Sequence, residues 1–472
     1  MNNKYVSLAR DFSIKLSSSS GILHCIRNGS VYELKPDQIE LLQLLDGTKT
    51  IRSIEAQYSA ESQSKISKFF GQMRGISALK LTDTISPIKL QDKRVPDRRL
   101  ESVHLEVSGK CNMKCVHCYQ AKYTQSGVQI SHQKIMELLD CLQKMQVNNV
   151  GISGGEPLMM PELGDILEAI EEKGIRISAL FSNGLLVTEA FIKMIKEKRS
   201  KFPLFISLDS IPGMALTFRG FSKKDSRTVL ERTIGNIKKL IANGIDVVIN
   251  TVVNSENINH LEEMYDLVSK LAVNSWRLGF PKMTMEFKER GDSFNVEWNE
   301  IAKKCFLVLQ KHLQNGMPFH LQIEYLFREE LFLQGLQKLS NKDFVCDYEG
   351  RRSECCVKPN GDVVSCAYCS DLPIGNIHRS SLWDIWYSEA MQKIKTIRVG
   401  DVKECIGCKL AYLCGTGCRA NAYFLHGNFN NAKDDYACKA MKFFMEQVIP
   451  LLEKFGVIKS NRLTNIRRKN MR

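Results

Sequence analysis

The sequence of 472 residues lacks any apolar run that approaches the length of a membrane span. Its start, Met1-Asn2-Asn3-Lys4, lacks the apolar core of a secretory signal. We find no internal repeat and no low-complexity segment. Hydrophobic residues make up 43% and charged residues 25%, a usage that excludes a disordered or collagen-like chain. We therefore expect a cytoplasmic protein that contacts no membrane, with two to four domains at roughly 100 to 200 residues each.

Acidic residues are scarce at both ends of the chain. Residues 1 to 100 carry 16 Lys and Arg against 10 Asp and Glu, and residues 459 to 472 carry 6 against none. The ends therefore hold 12 of the 14 excess positive charges. Basic ends attract any anionic partner, whether nucleic acid or an acidic peptide segment. We interpret the last segment as a solvated tail and expect no nucleic-acid partner.

Cysteine, in contrast, is abundant, with 16 residues. In a reducing compartment, clustered cysteines indicate metal or cluster ligands rather than disulfides. Ten of them lie between Cys346 and Cys438, and three more are Cys111, Cys115 and Cys118. These two groups organise the interpretation of the chain.

Residues 1 to 90 are predicted to form a small winged-helix domain, because short apolar strands accompany three helical stretches. The helices are expected to begin near Pro36, Ile51 and Glu61. Residues 91 to 100 show no apolar periodicity and are interpreted as a linker.

Residues 101 to 285 alternate short apolar runs with amphipathic helices. Strict alternation predicts parallel strands with right-handed crossovers, hence a barrel or an open α/β sheet whose chemistry lies on the loops after the strands. Residues 286 to 345 indicate a helical bridge, and glycine and cysteine beyond it are spaced too densely for regular elements. The six predicted strands are His104–Val107, Asn149–Ser153, Ile175–Phe181, Leu204–Leu208, Asp246–Val253 and Ser275–Phe280.

Cys111-x3-Cys115-x2-Cys118 follows the first predicted strand directly. Three thiolates at this spacing can surround one corner of a cubane cluster and leave one iron free to bind a substrate or cofactor. The alternative is a zinc site with His117 as the fourth ligand. Zinc sites usually bring cysteine pairs from two places, and only one triplet is present.

This motif resembles the CxxxCxxC signature of the radical S-adenosylmethionine (SAM) enzymes. Further motifs follow the next strands in the order that this family shows: Ser153-Gly154-Gly155-Glu156-Pro157, Ser182-Asn183-Gly184, Ser207-Leu208-Asp209 and Phe218-Arg219-Gly220. The resemblance implies a partial (β/α)6 TIM barrel in which Cys111, Cys115 and Cys118 ligate a catalytic [4Fe-4S] cluster. It also implies SAM contacts from His117, Gly154, Gly155, Glu156, Ser182, Asn183, Ser207, Asp209 and Arg219.

The second group of cysteines resembles the SPASM domain of radical SAM enzymes that modify peptides and proteins. Its pattern is Cys346-x14-Gly361-x4-Cys366, then Cys405-x2-Cys408-x5-Cys414-x3-Cys418, and Cys438. A zinc ribbon is the alternative for this region, but the triplet at Cys111 argues against it. The resemblance implies two auxiliary [4Fe-4S] clusters within residues 346 to 445, one on Cys405, Cys408, Cys414 and Cys438, the other on Cys346, Cys366 and Cys418.

The second auxiliary cluster has only three assigned ligands, whereas four thiolates close a cluster. Cys355, Cys356 or Cys369 could supply the fourth, or the iron could stay open for a substrate thiolate, which would favour sulfur chemistry. We expect substitution of any one of these three cysteines to leave the iron content unchanged. His104, which has no partner spacing, is interpreted as a surface or core residue.

The whole pattern resembles maturases of ribosomally made peptides, chiefly the sactipeptide and ranthipeptide enzymes that form thioether bonds between a cysteine sulfur and a carbon. The resemblance implies that residues 1 to 90 bind a leader peptide by strand addition, and that flavodoxin or ferredoxin donates electrons. Three alternatives stay open: carbon-carbon crosslinking, a protein maturase of the sulfatase-activating kind, and a non-enzymatic peptide-binding or electron-transfer scaffold. Residues 446 to 472 are expected to form a helix end and the basic tail.

Overall fold

The structure, a computed structural model, describes residues 4–329, 343–346 and 352–458. It contains an N-terminal unit, a large β/α sheet and a cysteine-rich segment that joins one edge of this sheet. The predicted basic tail from residue 459 onward lies outside the described residues. Within the described ranges, no helix is long and apolar enough to cross a bilayer.

The N-terminal unit has two three-stranded antiparallel sheets, with strand orders β5-β1-β6 and β2-β3-β4. The three predicted helices are present, but β1, β2 and β5 were not indicated by the sequence, and the winged-helix assignment stays a prediction. Its core is separate from that of the barrel. The elements are β1 (Tyr5–Leu8), β2 (Phe12–Leu16), β3 (Gly21–Cys25), β4 (Val31–Leu34), α1 (Pro36–Gln43), β5 (Asp46–Thr50), α2 (Ile51–Glu55), α3 (Ala60–Gly75) and β6 (Leu79–Thr82).

The central part confirms the predicted partial barrel-like α/β sheet. Strands β7 to β12 are adjacent and parallel, and each lies within two residues of its predicted bounds. The elements are β7 (Ser102–Glu106), α4 (Ala121–Ser126), α5 (His132–Lys144), β8 (Asn149–Ser153), α6 (Leu163–Glu172), β9 (Arg176–Ser182), α7 (Glu189–Glu197), β10 (Leu204–Ser207), α8 (Lys223–Ala242), β11 (Val247–Val252), α9 (Leu261–Leu271) and β12 (Ser275–Gly279).

The connecting helices begin where the sequence provides capping side chains. The Ser131 and Ser222 hydroxyls accept backbone N–H bonds at the starts of α5 and α8. The buried face of α5 carries apolar residues at helical spacing, including Ile135, Leu139 and Leu142, which are fully buried. Helix packing therefore closes one side of the sheet and leaves the carboxyl ends of the strands to loops.

The helical prediction for residues 286 to 345 is wrong in part. After α10 (Met285–Arg290) and α11 (Trp298–Gln314) come two strands, β13 (His320–Ile323) and β14 (Phe327–Arg328). Strand β13 pairs in parallel with β12 as a seventh barrel strand, because Leu321 and Ile323 bury completely in the sheet. Residues 330 to 342 of the predicted bridge lie outside the described residues.

The cysteine-rich segment contains more regular structure than its spacing predicted. Strand β15 pairs in parallel with β7, so this segment extends the barrel sheet at its first strand. Trp386, on a short helix of this segment, is 2% exposed and belongs to the main core. The elements are β15 (Glu354–Val357), β16 (Asp362–Val364), β17 (Gly375–Asn376), α12 (Leu382–Trp386), α13 (Glu389–Lys395), α14 (Ala411–Cys414), α15 (Arg419–His426), α16 (Asp435–Phe443) and α17 (Ile449–Lys454), with a π-helical turn, Phe444–Val448, before α17.

Candidate active site

The triplet Cys111, Cys115 and Cys118 lies on the loop that follows β7. Burial raises the pKa of Cys111 to about 11 and that of Cys118 to about 12. Within the described residues, no three His, Cys, Asp or Glu side chains are close enough to hold a single metal ion. A cubane cluster keeps its thiolate ligands farther apart than one zinc ion does, because each sulfur binds a different iron. Cys115 contributes to the raised pKa of both Cys111 and Cys118, so the three thiols lie near one another, and cysteine thiolates are the usual ligands of an iron-sulfur cluster.

Two glycines after β8 press against this cysteine loop. The Gly155 N–H donates to the Ser108 carbonyl at 2.6 Å, and Gly154 has φ +146°. A Cβ atom at Gly154 would lie 2.5 Å from the Ser108 carbonyl oxygen, and one at Gly155 would lie 2.2 Å from that of Lys110. Only glycine allows this approach, so the glycine pair positions the cysteine loop.

Glu156 is fully buried and orients the loop after β9. Its carboxylate accepts the Ser182 hydroxyl at 2.8 Å and the Asn183 backbone N–H at 2.7 Å. Burial raises the pKa of Glu156, although these hydrogen bonds oppose the shift. Asn183 in turn donates its side-chain amide to Asn112 of the cysteine loop at 2.6 Å. Ser182 and Asn183 line the cavity described below. A SAM molecule bound in that cavity would therefore contact these two residues, which Glu156 holds in place, in addition to the contact predicted for Glu156 itself.

Arg219 and Asp209 form a buried ion pair beside the cysteine loop. Nε of Arg219 lies 2.5 Å from Oδ2 of Asp209, and Oδ1 of Asp209 accepts the Val252 N–H at 2.6 Å. Nη1 of Arg219 lies 3.9 Å from the Cys115 sulfur. Burial lowers the pKa of Arg219, but Asp209 and Cys115 more than offset this effect and raise it above its ordinary value. A permanent positive charge therefore faces the sulfur of Cys115.

His117 packs against the loop that carries Arg219. Its ring stacks on Phe218, with centroids 4.1 Å apart and planes at 11°. Burial, followed by the charge of Arg219, lowers the pKa of His117 well below its usual value. The ring is therefore neutral and lines the cavity as a flat surface.

The first auxiliary group is partly assembled at the surface. Burial raises the pKa of Cys405, and the neighbouring Cys408 raises it further. The pKa of Cys438 is raised by burial and then by Cys405. These three thiols therefore lie near one another, and Cys414 ends the short helix α14 between them in sequence.

The second auxiliary group includes a fourth cysteine. Cys369 is 1% exposed, and its thiol is hydrogen-bonded to Cys366. This bond and burial raise the pKa of Cys369 well above its usual value, and Cys366, Cys418 and Cys346 add to the shift. Cys369 therefore shares one environment with the three cysteines that the sequence assigned to this cluster.

The other two candidate ligands differ from Cys369 in their nearest charged neighbours. Cys355 is fully buried on β15, and its pKa is raised to about 12 by burial, with Lys395 and Glu354 as its charged neighbours. Cys356, also buried, lies near Glu106 and Lys358, and Cys366 adds a smaller contribution to the rise in its pKa.

A cavity of about 730 Å³ joins these groups. It extends from the triplet on the β7 loop to Cys346, Cys366, Cys369 and Cys418 beside the second auxiliary group, and to Cys414 of the first. Most of the predicted SAM residues line it, whereas Glu156 and Asp209 are buried and orient their neighbours. The cavity-lining residues among those predicted for SAM are His117, Gly154, Gly155, Ser182, Asn183, Ser207 and Arg219.

Two features of the site were missed from the sequence. His104 lines the cavity and is hydrogen-bonded to Ser153, which agrees with a satisfied core residue, but the sequence did not place it at the site. A lone histidine on a strand gives no spacing signal, although alternation along β7 could have placed it inside the barrel. Tyr119 and Tyr368, next to Cys118 and between Cys366 and Cys369, are in ring contact, with centroids 5.1 Å apart.

Two family models match the chain. The Radical SAM superfamily matches residues 105–268, and an iron-sulfur cluster-binding domain, SPASM, matches residues 346–409. A Fe-coproporphyrin III synthase from Methanosarcina barkeri is 24% identical over 356 residues, which cover 71% of this chain and 86% of the relative. Other curated relatives are named AdoMet-dependent heme synthase and probable GTP 3′,8-cyclase.

Solved structures share the fold over most of the chain. Streptococcus suis SuiB bound to precursor peptide SuiA has a TM-score of 0.65 and 17% identity, and covers 92% of this chain and 99% of that chain. The enzyme anSMEcpe with bound AdoMet and Cp18Cys peptide has a TM-score of 0.60 and 19% identity, and covers 76% of this chain and 99% of that chain.

Proposed function

Because this chain is a radical SAM enzyme with an SPASM domain, we propose that it modifies a ribosomally synthesised precursor peptide and forms thioether crosslinks in it. Bound at the triplet on the β7 loop, a reduced [4Fe-4S] cluster and SAM would supply a 5′-deoxyadenosyl radical that removes a hydrogen atom from a peptide carbon. Two auxiliary [4Fe-4S] clusters, and a small electron donor such as flavodoxin or ferredoxin, complete the proposal.

The observation that best supports a peptide substrate is the open edge of β4 in the N-terminal unit. Strand β4 is an outer strand, and no described strand pairs with its far side. Val31 at its start is 50% exposed, and Val31–Leu34 includes neither proline nor lysine to block the edge. An extended peptide could add there as a further strand, with main-chain hydrogen bonds supplying affinity.

The likeness to SuiB supports this proposal. The aligned share of this chain is large enough to include much of the N-terminal unit, and SuiB in that structure is bound to the precursor peptide SuiA. The curated relatives carry names of porphyrin and nucleotide enzymes, so the shared domains serve several substrates. The substrate assignment therefore depends on the N-terminal unit and the cavity rather than on the radical SAM domain.

We assign Cys369 as the fourth ligand of the second auxiliary cluster, beside Cys346, Cys366 and Cys418. Four soft thiolates in one environment match the closed ligation of a [4Fe-4S] cluster. A closed cluster leaves no iron for a substrate thiolate. An open iron on a cluster with three cysteine ligands would have been an argument for a thioether. With Cys369 as the fourth ligand that argument is lost and a carbon-carbon bond gains weight, so the product must be identified directly.

The test is anaerobic co-expression with the short cysteine-containing peptide encoded nearest to the enzyme, followed by mass spectrometry before and after thiol alkylation. Thioether formation predicts loss of two hydrogens per crosslink and one thiol that no longer reacts. The same mass loss with every thiol reactive would replace the thioether with carbon-carbon bonding or desaturation.

A variant with Cys111→Ala, Cys115→Ala and Cys118→Ala is the control for enzymatic action. It should bind the leader peptide as the wild type does and lose all SAM cleavage. Unchanged peptide modification in this variant would contradict radical chemistry at the triplet.

A further inference from the structure

His104 presents an imidazole to the central cavity from the first barrel strand. Its side chain is 16% exposed, and its backbone pairs with Gly151 on β8 and Cys356 on β15. A Cβ atom at Gly151 would make an ordinary van der Waals contact with Nδ1 of His104, at 3.7 Å, so the ring packs close to this glycine. Phe181 meets the ring edge to face, with centroids 5.5 Å apart. These contacts hold the imidazole against the barrel wall.

Polar neighbours equip this ring to hold a proton. Nε2 of His104 lies 2.6 Å from the Ser153 hydroxyl oxygen, and Ser153 immediately precedes the glycine pair that packs on the cysteine loop. The same nitrogen lies 4.0 Å from Oε1 of Glu106, a fully buried carboxylate. Nζ of Lys358 lies 3.0 Å from the same carboxylate oxygen and neutralises part of its charge. A buried carboxylate at this distance stabilises an imidazolium.

The other cavity-lining histidine and carboxylates in the described part of the chain are less suited to this role. His117 is stacked on Phe218 between two cluster cysteines. Glu324 is paired with Lys282 and accepts the Phe280 N–H at 3.1 Å. Glu354 lies at the start of β15, beside the end of β7 that is remote from the cysteine loop.

We propose that His104 accepts the proton of the substrate thiol as the carbon-sulfur bond forms, with Ser153 holding the ring in place. The inference rests on the proposed function. Removal of a hydrogen atom leaves a radical on the substrate carbon, and joining that carbon to the sulfur of an R–SH group releases one proton and one electron. The proton goes to the imidazole, and the electron goes to an oxidised iron-sulfur cluster of the auxiliary class. An imidazole ordinarily changes charge near neutral pH, which suits this step.

The test compares the wild-type holoenzyme with His104→Gln, which keeps a polar group beside Ser153 but cannot take up a proton. The 5′-deoxyadenosine and the thioether crosslinks are counted in the same reaction across the neutral pH range. The variant should still form 5′-deoxyadenosine, while crosslinks per 5′-deoxyadenosine fall about tenfold or more near pH 7. The ratio should recover as pH rises toward about 8.5, where a thiol ionises unaided.

His104→Ala supplies a second variant. Added imidazole should restore its crosslinks per 5′-deoxyadenosine at neutral pH, and iron content and peptide affinity should match the wild type in both variants. An unchanged ratio in His104→Gln at pH 7, or a lowered ratio that neither pH nor imidazole restores, would overturn the role of His104 alone. A wild-type enzyme that forms no thioether would overturn the proposed function and this role together.

Discussion

Nζ of Lys358 lies 3.0 Å from Oε1 of Glu106, and both side chains are fully buried. Glu106 ends β7 immediately before the cysteine loop, and Lys358 follows β15 of the cysteine-rich segment, 252 residues later. Lys358 also donates to the Ala367 carbonyl at 2.5 Å, between two proposed cluster ligands. One ion pair thus connects the loop of Cys111, Cys115 and Cys118 to the loop that carries Cys366 and Cys369.

Lys358→Met should destabilise the holoenzyme by about 3 to 5 kcal/mol, because it leaves the Glu106 carboxylate buried without its partner. The double variant Glu106→Gln with Lys358→Met removes both charges and should recover much of that loss. Urea unfolding followed by tryptophan fluorescence measures both. Equal destabilisation in the single and double variants would contradict an ion-pair origin.

Cys369→Ala should remove about four of the roughly twelve irons per chain expected for three [4Fe-4S] clusters. The reason is that Cys369 shares one environment with Cys346, Cys366 and Cys418. This replaces the expectation from the sequence that no single substitution among the three candidates changes the iron content. Iron analysis and electron paramagnetic resonance of the reduced, anaerobically purified protein provide the measurement.

Cys355→Ala is the matched control for this prediction, because Cys355 is equally buried but has Lys395 and Glu354 as charged neighbours. It should keep all of its iron. Full iron content in Cys369→Ala, or loss in Cys355→Ala, would move the fourth ligand away from Cys369.

Gly155→Ala should weaken SAM binding and lower the iron content of the catalytic triplet. Its new methyl group would collide with the Lys110 carbonyl oxygen and push the cysteine loop away. Gly235→Ala is the control: that glycine lies on α8 and a Cβ there meets nothing within 4 Å. This control should gain about 0.5 to 1 kcal/mol of stability and keep its cluster. Normal iron content and SAM affinity in Gly155→Ala would contradict the positioning role.

Local patterns in the sequence account for much of the fold. Apolar runs alternating with amphipathic helices predicted six of the seven parallel barrel strands, since each pattern depends on neighbouring residues only. Strand β13 (His320–Ile323) was not predicted, because the sequence was interpreted as one helical bridge over residues 286 to 345, and helix α11 does precede this strand. Strand β15 was not predicted for another reason. Its pairing with β7 joins segments about 250 residues apart, and no local pattern encodes such a pairing.

The residues of the candidate site were likewise predicted only where a local pattern identifies them. Motif spacing identified the triplet and the glycine pair, and the structure brings both to one cavity. Spacing could not choose among Cys355, Cys356 and Cys369, because the choice depends on how the chain folds between β16 and α12. The role of His104 depends on Ser153 and other residues of neighbouring strands, so a lone histidine in the sequence carried no signal.

Lys15 should make the free energy of unfolding depend on pH between about 7 and about 10. It is buried where the N-terminal unit meets the barrel, and Nζ donates to the Gly174 carbonyl at 3.0 Å. Burial, and then the charge of Arg99, lowers the pKa of Lys15 to about 7. The unfolded chain keeps this amine protonated up to about pH 10, so folding must release a proton between these values. The free energy of unfolding therefore decreases as the pH falls from about 10 to about 7.

Lys15→Met removes this titration. The melting temperature of the variant should therefore rise relative to that of the wild type as the pH falls across that range. Lys4→Met is the control, because Lys4 pairs with Asp83 at the exposed surface and should show no such trend. A constant difference between Lys15→Met and the wild type at all pH values would show that Lys15 stays charged in the folded protein.

Leader-peptide binding should protect the β4 backbone from hydrogen exchange, because strand addition engages amide groups along that edge. Val31→Asp should weaken peptide affinity about tenfold, or about 1.4 kcal/mol, by placing a solvated charge where the added strand would pack. Leu307→Asp makes the same kind of change at an exposed site on α11 and should leave affinity unchanged.

These point variants test recognition more sharply than removal of residues 1 to 90. Leu16 donates its backbone N–H to Gln146 of the barrel at 2.5 Å, and Lys201 donates its backbone N–H to the Arg27 carbonyl at 2.8 Å. A deletion would expose both partners, so lost processing could reflect a damaged barrel. With Val31→Asp, SAM cleavage without peptide should stay at the wild-type rate. Unchanged affinity, together with no added protection at β4, would place the leader peptide elsewhere.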